Sequence, residues 1–541
     1  MGELFMVSLV ERIIQFAENN YNKPAIIYKN EVLSYVSLAK KIKSAGILLK
    51  QYGVKKDDRV LLTAITSPCM VVAYLAIQYC GGIVVFLDVN NTDKSTYDIY
   101  CRTNAVLFLT EKNRQKIENI PNIMSIKELC NDEADITDIE YIVSDEDDMA
   151  EILFTTGTTG KPKGVVHTYK SVNSILMNTI KGTGMLSNDS VLLPLPLGHS
   201  LALRVLRAAL YQGASIILQN GFAFVNDIER NQKRFSCTAL VAVPVVMEML
   251  YQKLGEKFSE VLGRFRYIEV GAGSLSIVQR KKFSKLLPNT IIYNTWGSSE
   301  TGGVFFLNIS DALHKDDRLG TLGKPLPNIQ LQVIDDCGEV IDSSYNNLGR
   351  MALKGDMIMC GYWNDPDLTE QTINDGWVIT NDIVYQDQEG YLYMLGRSDD
   401  IVKVRGENVS TIEIENIAGQ FDGILECACI GVDDLDFFGG QSLVLFFVVS
   451  SINFEEKKLY NFLFNSIERY KVPMRFVSLR KIPRNKMGKI DRRKLKAIWN
   501  TIEERDEEST VTQCKKTKAK MKEYTEIVFY DKTNNDDSLL D

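Results

Sequence analysis

The sequence EILFTTGTTGKPKGVVHT, from Glu151 to Thr168, is the most informative stretch of this 541-residue chain. An apolar strand pattern runs into ten residues, Thr155 to Gly164, that contain three glycines, four threonines and two lysines. Glycines let backbone N–H groups turn towards an anion, threonine hydroxyls add donors, and lysines add positive charge. The segment therefore predicts a strand followed by a loop that binds a polyphosphate.

A Walker P-loop is the main alternative for a glycine-rich loop of this kind. That motif has the form GxxxxGK[ST] and needs a hydroxyl group directly after the lysine to hold magnesium. In this chain Lys161 is followed by Pro162, which has no hydroxyl group. The phosphate loop is therefore of a different kind.

Short apolar strands alternate with helical patterns on both sides of the loop. Each of three units has the order strand, helix, strand, and the three strand pairs are KPAIIY with RVLLTAI, SVLLPLP with ASIILQ, and ALVAVPV with RYIEVGAG. The helices between them are expected over Ser37 to Leu49, after His199 and after Pro244. This alternation predicts the α/β class, with layered mixed or largely parallel sheets.

The pattern changes near Tyr391, where short strands joined by polar turns begin. A helix over Thr411 to Ala418, two apolar strands (CACIGV and SLVLFFVVS), a helix over Phe454 to Tyr470 and a basic loop over Arg480 to Lys489 follow. We therefore expect a large N-terminal core over residues 1–395, a small α+β domain over residues 396–500, and a charged flexible tail over residues 501–541. One short strand is expected in the tail, over Thr525 to Tyr530.

The charge balance argues against a general nucleic-acid binder. Lysine and arginine total 62 and aspartate and glutamate total 70, which gives a formal charge of −8. The clearest apolar runs, Cys69 to Ile77 and Leu443 to Val449, are far shorter than the roughly 18 residues of a membrane span. They predict buried helices or strands, and no membrane span is expected.

The cysteines indicate a reducing environment. Ten of them are scattered along the chain, and only three histidines are present, so a zinc site is not expected. The first residues also lack the basic region and small-residue cleavage site of a secretory signal. We therefore expect a cytoplasmic protein with free thiols.

The phosphate loop resembles the signature of the adenylate-forming superfamily, which includes acyl- and aryl-CoA synthetases, luciferases and nonribosomal-peptide adenylation domains. The resemblance continues in the family's order from about Lys23 to Leu495. It implies that ATP converts a carboxylic acid into an acyl-adenylate with release of pyrophosphate, after which a thiol takes the acyl group. It also implies that the loop residues bind ATP, namely Thr155, Thr156, Gly157, Thr158, Thr159, Gly160, Lys161 and Lys163.

The stretch YNTWGSSETGG, from Tyr293 to Gly303, resembles the family's adenine and magnesium motif. The resemblance implies that Asn294 binds the adenine amino group, Trp296 stacks on the ring and Ser299 reaches the α-phosphate. It implies that Glu300 holds Mg²⁺, which suits a hard carboxylate oxygen. Together with the turn GAGSLS after RYIEV, the implied ATP contacts are Gly271, Ala272, Gly273, Asn294, Thr295, Trp296, Gly297, Ser298 and Ser299.

Two residues further along match the family's ribose contacts. Asp382 aligns with the aspartate that binds both ribose hydroxyls, and Arg397 with a second ribose or phosphate contact. Asn381 stands where the family commonly has glycine, so the local backbone is expected to differ.

The small domain supplies three further matches. Asp399 aligns with the hinge about which the family's C-terminal domain rotates between two half-reactions. Gly406 aligns with the position that a pantetheine arm passes. Lys489 aligns with the catalytic lysine, whose ammonium group would stabilise charge on the transferred phosphate.

The resemblance also suggests an acid pocket. His199 aligns with the residue at its carboxylate end, and the segment lacks the aspartate that amino-acid activators use, so an α-amino acid is disfavoured. Arg204 and Arg207 could meet a second carboxylate of the substrate, but a solvent or domain contact is expected instead. The pocket walls are expected from Leu201, Val243, Pro244, Gly302 and Gly303, with Gly271 and Gly273.

These matches predict an AMP-forming acid–thiol ligase that uses ATP, Mg²⁺ and coenzyme A on a small-molecule carboxylic acid. One alternative loads the phosphopantetheine of an acyl carrier protein instead of coenzyme A. A non-catalytic ATP-binding relative is disfavoured because the loop and its matched partners are intact, and no residue positively supports a luciferase-like oxygenase.

Overall fold

The computed structural model describes residues 7–19, 21–89, 91–111, 117, 119–131, 141–156, 162–222, 225–273, 275–313, 318–398, 401–404, 407–434, 440–449, 454–484 and 490–513. All structural statements below refer to these described residues.

The strands of the described chain are short, and most are rich in valine, isoleucine and leucine, as expected of strands covered on both faces. In chain order they are β1 (Pro24–Tyr28), β2 (Glu31–Ser34), β3 (Arg59–Leu62), β4 (Ile83–Phe86), β5 (Leu107–Thr110), β6 (Ile123–Ser125), β7 (Met149–Thr156), β8 (Pro162–Thr168), β9 (Ser190–Leu193), β10 (Ser215–Leu218), β11 (Ala239–Ala242), β12 (Tyr267–Val270), β13 (Ile291–Ser298), β14 (Gly302–Asn308), β15 (Gln330–Ile334), β16 (Gly349–Lys354), β17 (Gly361–Tyr362), β18 (Ile373–Asn374), β19 (Trp377–Gln386), β20 (Leu392–Arg397), β21 (Ile401–Val404), β22 (Glu407–Ser410), β23 (Ile424–Asp434), β24 (Gly440–Val449) and β25 (Arg475–Ser478).

The helices alternate with these strands through the first three hundred residues or so. In chain order they are α1 (Leu9–Glu18), α2 (Tyr35–Gln51), α3 (Pro68–Tyr79), α4 (Asp93–Thr103), α5 (Ile126–Asn131), α6 (Tyr169–Thr183), α7 (Ser200–Gln212), α8 (Val225–Phe235), α9 (Pro244–Leu254), α10 (Phe258–Leu262), α11 (Ile277–Leu286), α12 (Ile309–Leu313), α13 (Pro366–Thr372), α14 (Thr411–Ala418), α15 (Glu456–Ser466) and α16 (Arg492–Gln513).

Two large sheets dominate the fold. The eight-stranded sheet has the order β14-β13-β12-β11-β9-β10-β1-β2, and its six inner strands run parallel. The seven-stranded sheet has the order β17-β8-β7-β4-β3-β5-β6, and its five strands from β7 to β6 run parallel, whereas β8 pairs antiparallel with both β7 and β17. The layered mixed and parallel α/β class predicted from the sequence is therefore confirmed.

Alternation along the strands explains why the sheets stack in layers. In β12, Tyr267 enters the core between the two sheets, whereas its neighbour Ile268 enters the core formed with α8 to α12. In β3, Val60 enters the shared core, and Leu61 enters the core under α4. Each of these strands therefore buries both of its faces. The helices α2, α3 and α7 lie between the two large sheets, and their side chains form one continuous core with both.

The helix α3 illustrates how the sequence produces this central layer. Ser67 caps it by accepting a hydrogen bond from the Met70 backbone N–H at 3.3 Å, and Pro68 occupies its first position. The helix is apolar on all sides, which predicts full burial. Eleven of its twelve residues are buried, so the apolar run Cys69 to Ile77 is indeed a core helix.

The remaining strands form smaller sheets. A five-stranded sheet has the order β15-β16-β19-β18, with β20 paired to β19, and β21 pairs with β22. The three strands β23, β24 and β25 form a separate sheet, covered by α14 and α15 on one face and by α16 on the other. This sheet has its own core, as expected of a small α+β unit, but the exact domain limits stay a prediction.

Two elements of this region differ from the sequence analysis. The helix expected over Phe454 to Tyr470 is shorter, because Ile467 adopts an extended conformation and the chain then turns to bury Lys471. The last helix continues past residue 500 to Gln513, and Trp499 and Ile502 pack on the core of this small sheet. The strand expected in the tail lies outside the described residues.

The described chain has no helix that is long and apolar enough to span a bilayer.

Candidate active site

The hairpin β7–β8 holds both ends of the predicted phosphate loop. Thr155 pairs with Lys163, and Thr156 pairs with Pro162 across the two strands. The backbone of Thr156 is described, but its side chain is not. Several predicted site residues lie outside the described residues, namely Gly157, Thr158, Thr159, Gly160, Lys161, Asp399, Gly406 and Lys489.

The edge strand β17 extends this hairpin and reaches the magnesium motif. Tyr362 pairs with Val165 of β8, and its hydroxyl donates to Glu300 Oε1 at 2.9 Å. The ammonium of Lys163 lies 5.6 Å from the centre of the same ring. Burial, reinforced by the neighbouring Glu300 carboxylate, raises the pKa of the Tyr362 phenol well above its ordinary value, so the hydroxyl stays protonated.

A tight turn over Ser298–Thr301, here called the metal turn, presents Glu300. The Glu300 backbone N–H donates to Ser298 Oγ at 3.1 Å, and the Glu300 carbonyl accepts from the Met359 N–H at 2.8 Å. The Ser298 hydroxyl also lies 3.1 Å from Thr301 Oγ1. The turn is thus held by its own Ser298 and by the Met359 backbone just before β17. None of these hydrogen bonds uses the Glu300 carboxylate.

A buried histidine supports the same turn from β8. His167 Nε2 lies 2.7 Å from the Ser299 carbonyl oxygen, and Nδ1 lies 3.0 Å from Ser171 Oγ. Because a carbonyl only accepts, Nε2 carries the proton, and Nδ1 of the neutral ring accepts from the serine. Burial lowers the pKa of His167 and favours this neutral form.

The eight-stranded sheet supplies the second part of the site at the carboxyl end of β12, where Val270 pairs with Asn294 of β13. Asn294 is buried, and its Oδ1 atom has no hydrogen-bond partner among the described residues. The turn after β12 begins with Gly271, where an added Cβ would lie 2.5 Å from Thr295 Oγ1. Ala272 follows with φ 59°, a left-handed conformation that is uncommon outside glycine. The buried Asn294 acceptor therefore lies close to the tightly packed backbone of Gly271.

Part of the predicted wall of the acid pocket lies beside this turn. The residues predicted to form that wall are here called the acid wall: Leu201, Val243, Pro244, Gly271, Gly273, Gly302 and Gly303. An added Cβ at Gly271 would meet Leu201 Cδ2 at 3.4 Å, and one at Gly273 would meet Pro244 Cδ at 3.2 Å. Val243 precedes α9 as its N-cap residue. A side chain at Gly271 would collide with Thr295 and crowd Leu201, so glycine is required where this turn packs.

The other end of the acid wall lies on β14. Gly302 has φ 64°, and an added Cβ would lie 2.5 Å from Ile175 Cγ1. At Gly303, an added Cβ would contact the Phe306 ring at 2.8 Å. His199 is the N-cap residue of α7 and is half-buried, and its carbonyl accepts from the Leu203 N–H at 3.0 Å.

A buried ion pair lies directly behind the acid wall. Arg204 pairs with Glu269 of β12 and donates to Thr179 Oγ1 at 3.1 Å. Thr295 Oγ1 donates to the same carboxylate at 3.2 Å. An added Cβ at Gly303 would lie 3.2 Å from Arg204 Cζ, so the guanidinium packs against the wall. The Thr295 hydroxyl is therefore part of the hydrogen-bond network around the Arg204–Glu269 ion pair.

A second buried ion pair ties α7 to the other sheet. Arg207 donates to Glu151 Oε1 of β7 at 2.6 Å, and the Tyr74 hydroxyl donates to Glu151 Oε2 at 3.1 Å. The prediction that Arg204 and Arg207 contact solvent or another domain is therefore wrong. Both arginines are buried because α7 lies between the sheets and has no exposed face.

The two predicted ribose contacts are neighbours across β19 and β20. Asp382 pairs with Arg397 in the register, and Arg397 Nε lies 3.4 Å from Asp382 Oδ1. Asp382 is buried, whereas the arginine side chain is largely exposed.

The Trp296 ring packs edge-on against Phe305 at 5.8 Å between centres, and the adenine contact assigned to Trp296 stays a prediction.

The structure also identifies contributors that the sequence analysis missed, namely Glu151, His167, Glu269 and Tyr362. One of them carries a local signal: His167 shares a strand face with Val165, so alternation alone would have placed it in the core. The other three make contacts with Arg207, Arg204 and Glu300, each more than fifty positions away, and no local pattern reveals these partners.

Comparison with known families defines the class. Residues 14–363 match the family described as AMP-binding enzyme, and residues 413–489 match the family described as AMP-binding enzyme C-terminal domain. The first match alone covers more than half of the chain. The chain belongs to the AMP-binding enzyme family, and the predicted adenylate-forming class is confirmed.

Individual relatives narrow this class. The 2-succinylbenzoate–CoA ligase of Bacillus cereus is 28% identical over 497 residues, which cover 91% of this chain and 99% of the relative. The o-succinylbenzoate CoA synthetase of Bacillus subtilis, solved with the acyl-adenylate intermediate, is 25% identical with a TM-score of 0.79, and 90% and 97% of the two chains are covered. The chain is an AMP-forming acid–thiol ligase acting on a small-molecule acid, as the sequence predicts.

A third solved structure supports the fold alone. ATP-bound MatB from Rhodopseudomonas palustris is 23% identical, with a TM-score of 0.82 and coverage of 92% of this chain and 99% of that one.

Proposed function

We propose that the chain activates an aromatic acid of the 2-succinylbenzoate type with ATP and transfers the acyl group to coenzyme A. The observation that carries this proposal is the nearly full-length match to 2-succinylbenzoate–CoA ligases. The acid wall agrees with it, because Leu201 and Pro244 place apolar side chains beside the glycine turn, and apolar contacts suit an aromatic ring.

The residues of the site fit ATP and magnesium. The buried Oδ1 atom of Asn294, which has no partner in the described chain, can accept from the adenine amino group. The Asp382 carboxylate can accept from ribose hydroxyls beside Arg397. The phosphate loop, with Thr155 and Lys163 at its base, would hold the phosphates. The carboxylate of Glu300 would hold Mg²⁺, which when bound offsets negative charge on the phosphates.

The reaction would proceed in two half-reactions. An oxygen of the substrate carboxylate attacks the α-phosphorus, and the bond from that phosphorus to the leaving pyrophosphate breaks. The ammonium of Lys489 would stabilise the developing charge, and His199 would orient the acid. The thiol then attacks the acyl carbon, loses its proton, and the bond to AMP breaks. Rotation at Asp399 would bring Gly406 beside the pantetheine arm for this step.

A panel of acids tests the substrate class. Pyrophosphate release would be measured with 2-succinylbenzoate, benzoate, malonate and a medium-chain fatty acid. We expect 2-succinylbenzoate to give a kcat/KM roughly a hundredfold above that of benzoate, since the missing chain and carboxylate leave contacts unmade. Preference for malonate or the fatty acid would reject the aromatic assignment.

Two variants separate the half-reactions. Lys489→Ala should abolish acid-dependent pyrophosphate exchange while sparing transfer from a supplied acyl-adenylate. Gly406→Leu should leave exchange intact and block thioester formation, because a side chain would narrow the pantetheine path. Normal exchange in the lysine variant, or normal transfer in the glycine variant, would remove the corresponding role. Free coenzyme A and a phosphopantetheinylated carrier protein would be compared as acceptors, and exclusive use of the carrier would replace coenzyme A.

We also propose a cytoplasmic location for the protein. The nine cysteines that the structure describes are all free, which suits a reducing compartment. Fractionation of the producing cells would test this, and recovery outside the cytoplasm would contradict it.

A further inference from the structure

A short segment, residues 359–363, connects the two sheets at the edge of the candidate site. Its Met359 N–H donates to the Glu300 carbonyl at 2.8 Å, and its Trp363 N–H donates to the Gly164 carbonyl at 2.7 Å. One end of the segment is therefore bonded to the metal turn, and the other to the strand that follows the phosphate loop.

Tyr362 is held rigidly within this segment. Its backbone N–H donates to Thr369 Oγ1 at 2.9 Å, and its backbone pairs with β8. At Gly361 an added Cβ would lie 2.7 Å from Thr369 Cγ2, so the backbone and α13 are in close contact. The ring thus projects from a fixed backbone.

The Tyr362 side chain makes two contacts with predicted ATP-site groups. Its hydroxyl donates to Glu300 Oε1 at 2.9 Å, and the Lys163 ammonium lies 5.6 Å from the ring centre. The hydrogen bond selects one orientation of the carboxylate and leaves Oε2 to face a cation. The ring face attracts the ammonium and restricts its position.

We propose that Tyr362 is a positioning residue that orients the Glu300 carboxylate towards magnesium and, through its ring, holds Lys163 at the base of the phosphate loop. This inference rests on the proposed role of Glu300 in holding the metal. One side chain would thereby align the metal ligand on one sheet with the phosphate-binding strand of the other.

Calorimetric titration of the full-length protein with ATP tests the proposal, once with excess Mg²⁺ and once with a chelator. Tyr362→Phe removes the hydroxyl and keeps the ring. We expect the factor by which magnesium tightens ATP binding to fall about tenfold, while metal-free affinity stays within about twofold of wild type. A purely structural defect would change both affinities together.

Tyr21→Phe is the matched control, because it removes a phenol that donates to the Gly213 carbonyl at 3.1 Å, away from the metal turn. It should leave both affinities unchanged. All titrations would be made well below the lowest melting midpoint of the set, so that only folded protein is compared. Wild-type magnesium dependence in Tyr362→Phe would overturn the proposal.

Tyr362→Leu extends the test to the ring. Loss of the aromatic face should also weaken metal-free ATP binding, by about threefold, because Lys163 loses its restraint. Metal-free affinity equal to that of Tyr362→Phe would remove the part of the proposal that concerns Lys163.

Glu300→Gln separates this inference from the proposed function. If it keeps full magnesium dependence, the metal role of Glu300 and the present proposal both fail, whereas the choice of acid is tested independently by the acid panel. If it loses the dependence and Tyr362→Phe does so in part, the proposal stands.

Discussion

The acid wall is backed by a buried ion pair, whereas the metal turn is held by hydrogen bonds from its own Ser298, from the Met359 backbone and from the buried His167 ring. Arg204 and Glu269 are almost fully buried behind the wall, whereas Glu300 is partly exposed and contacts Tyr362. The first region depends on space and on a desolvated charge pair, and the second on hydrogen-bond geometry. We therefore expect substitutions in the wall to affect folding and ligand size, and substitutions around the turn to affect metal and phosphate binding.

The largest effect is expected from breaking the ion pair behind the acid wall. Arg204→Met leaves the Glu269 carboxylate buried without its partner, which should lower the free energy of unfolding by about 3–5 kcal/mol. Urea denaturation measures this loss. Arg264→Met, which breaks the exposed helical pair with Glu260, is the control and should cost about 0.5 kcal/mol. Similar losses in the two variants would contradict the contrast between buried pair and surface pair.

A smaller effect is expected from filling the wall itself. In Gly271→Ala the new Cβ would lie 2.5 Å from Thr295 Oγ1, and this hydroxyl is fixed by Glu269. Overpacking of this kind costs about 1–3 kcal/mol of folding stability. Because the turn must move to relieve the clash, KM for ATP and for the acid should also rise, by about tenfold. Steady-state kinetics would measure both. Gly320→Ala, where the Cβ would lie at an ordinary 3.4 Å from Ile277 Cδ1, should keep both constants.

The smallest effect is expected at His167, behind the metal turn. Burial lowers its pKa below the ordinary 6.5, so the folded protein keeps the ring neutral while the unfolded chain takes up a proton below that pH. The stability that depends on the neutral ring is thus present above pH 6.5 and lost as the pH falls, by at most about 1.4 kcal/mol per pH unit.

His167→Gln keeps a donor for Ser299 and removes this titration. Denaturation at several pH values should show a shallower loss of stability below pH 6.5 in the variant than in wild type. At pH 8 the two proteins should differ by only about 1 kcal/mol, for the lost bond to Ser171. Parallel pH profiles would contradict the neutral buried ring.

Much of the fold follows from local patterns, because its strands are continuous apolar runs and its helices carry apolar faces. The helix over Thr411–Ala418 begins and ends as predicted, since Ser410 caps it and Gly419 follows it. Side-chain contacts between residues that are distant in the sequence cannot be predicted from such local patterns. Nothing in the spacing of Arg204 and Arg207 reveals that they bind carboxylates on two different sheets.

The site is predictable to the same extent. Residues within a contiguous motif, such as Asn294 to Glu300, can be proposed as a group from order alone, and their ligand contacts stay predictions. The register of β19 and β20 brings Asp382 beside Arg397. The contacts of Tyr362 with Glu300 and of His167 with Ser299 span 62 and 132 positions, so only the folded chain reveals these partners.

The two arginines of α7 have a consequence for how acid choice could change in this protein. Since one ion pair joins the helix to each sheet, a shift of the helix axis would have to separate two buried ion pairs. New specificities should therefore arise at its first turn, around His199 and Leu201, and on the facing glycines. The position of α7 would stay the same, while substitutions at these residues would change the shape of the acid pocket.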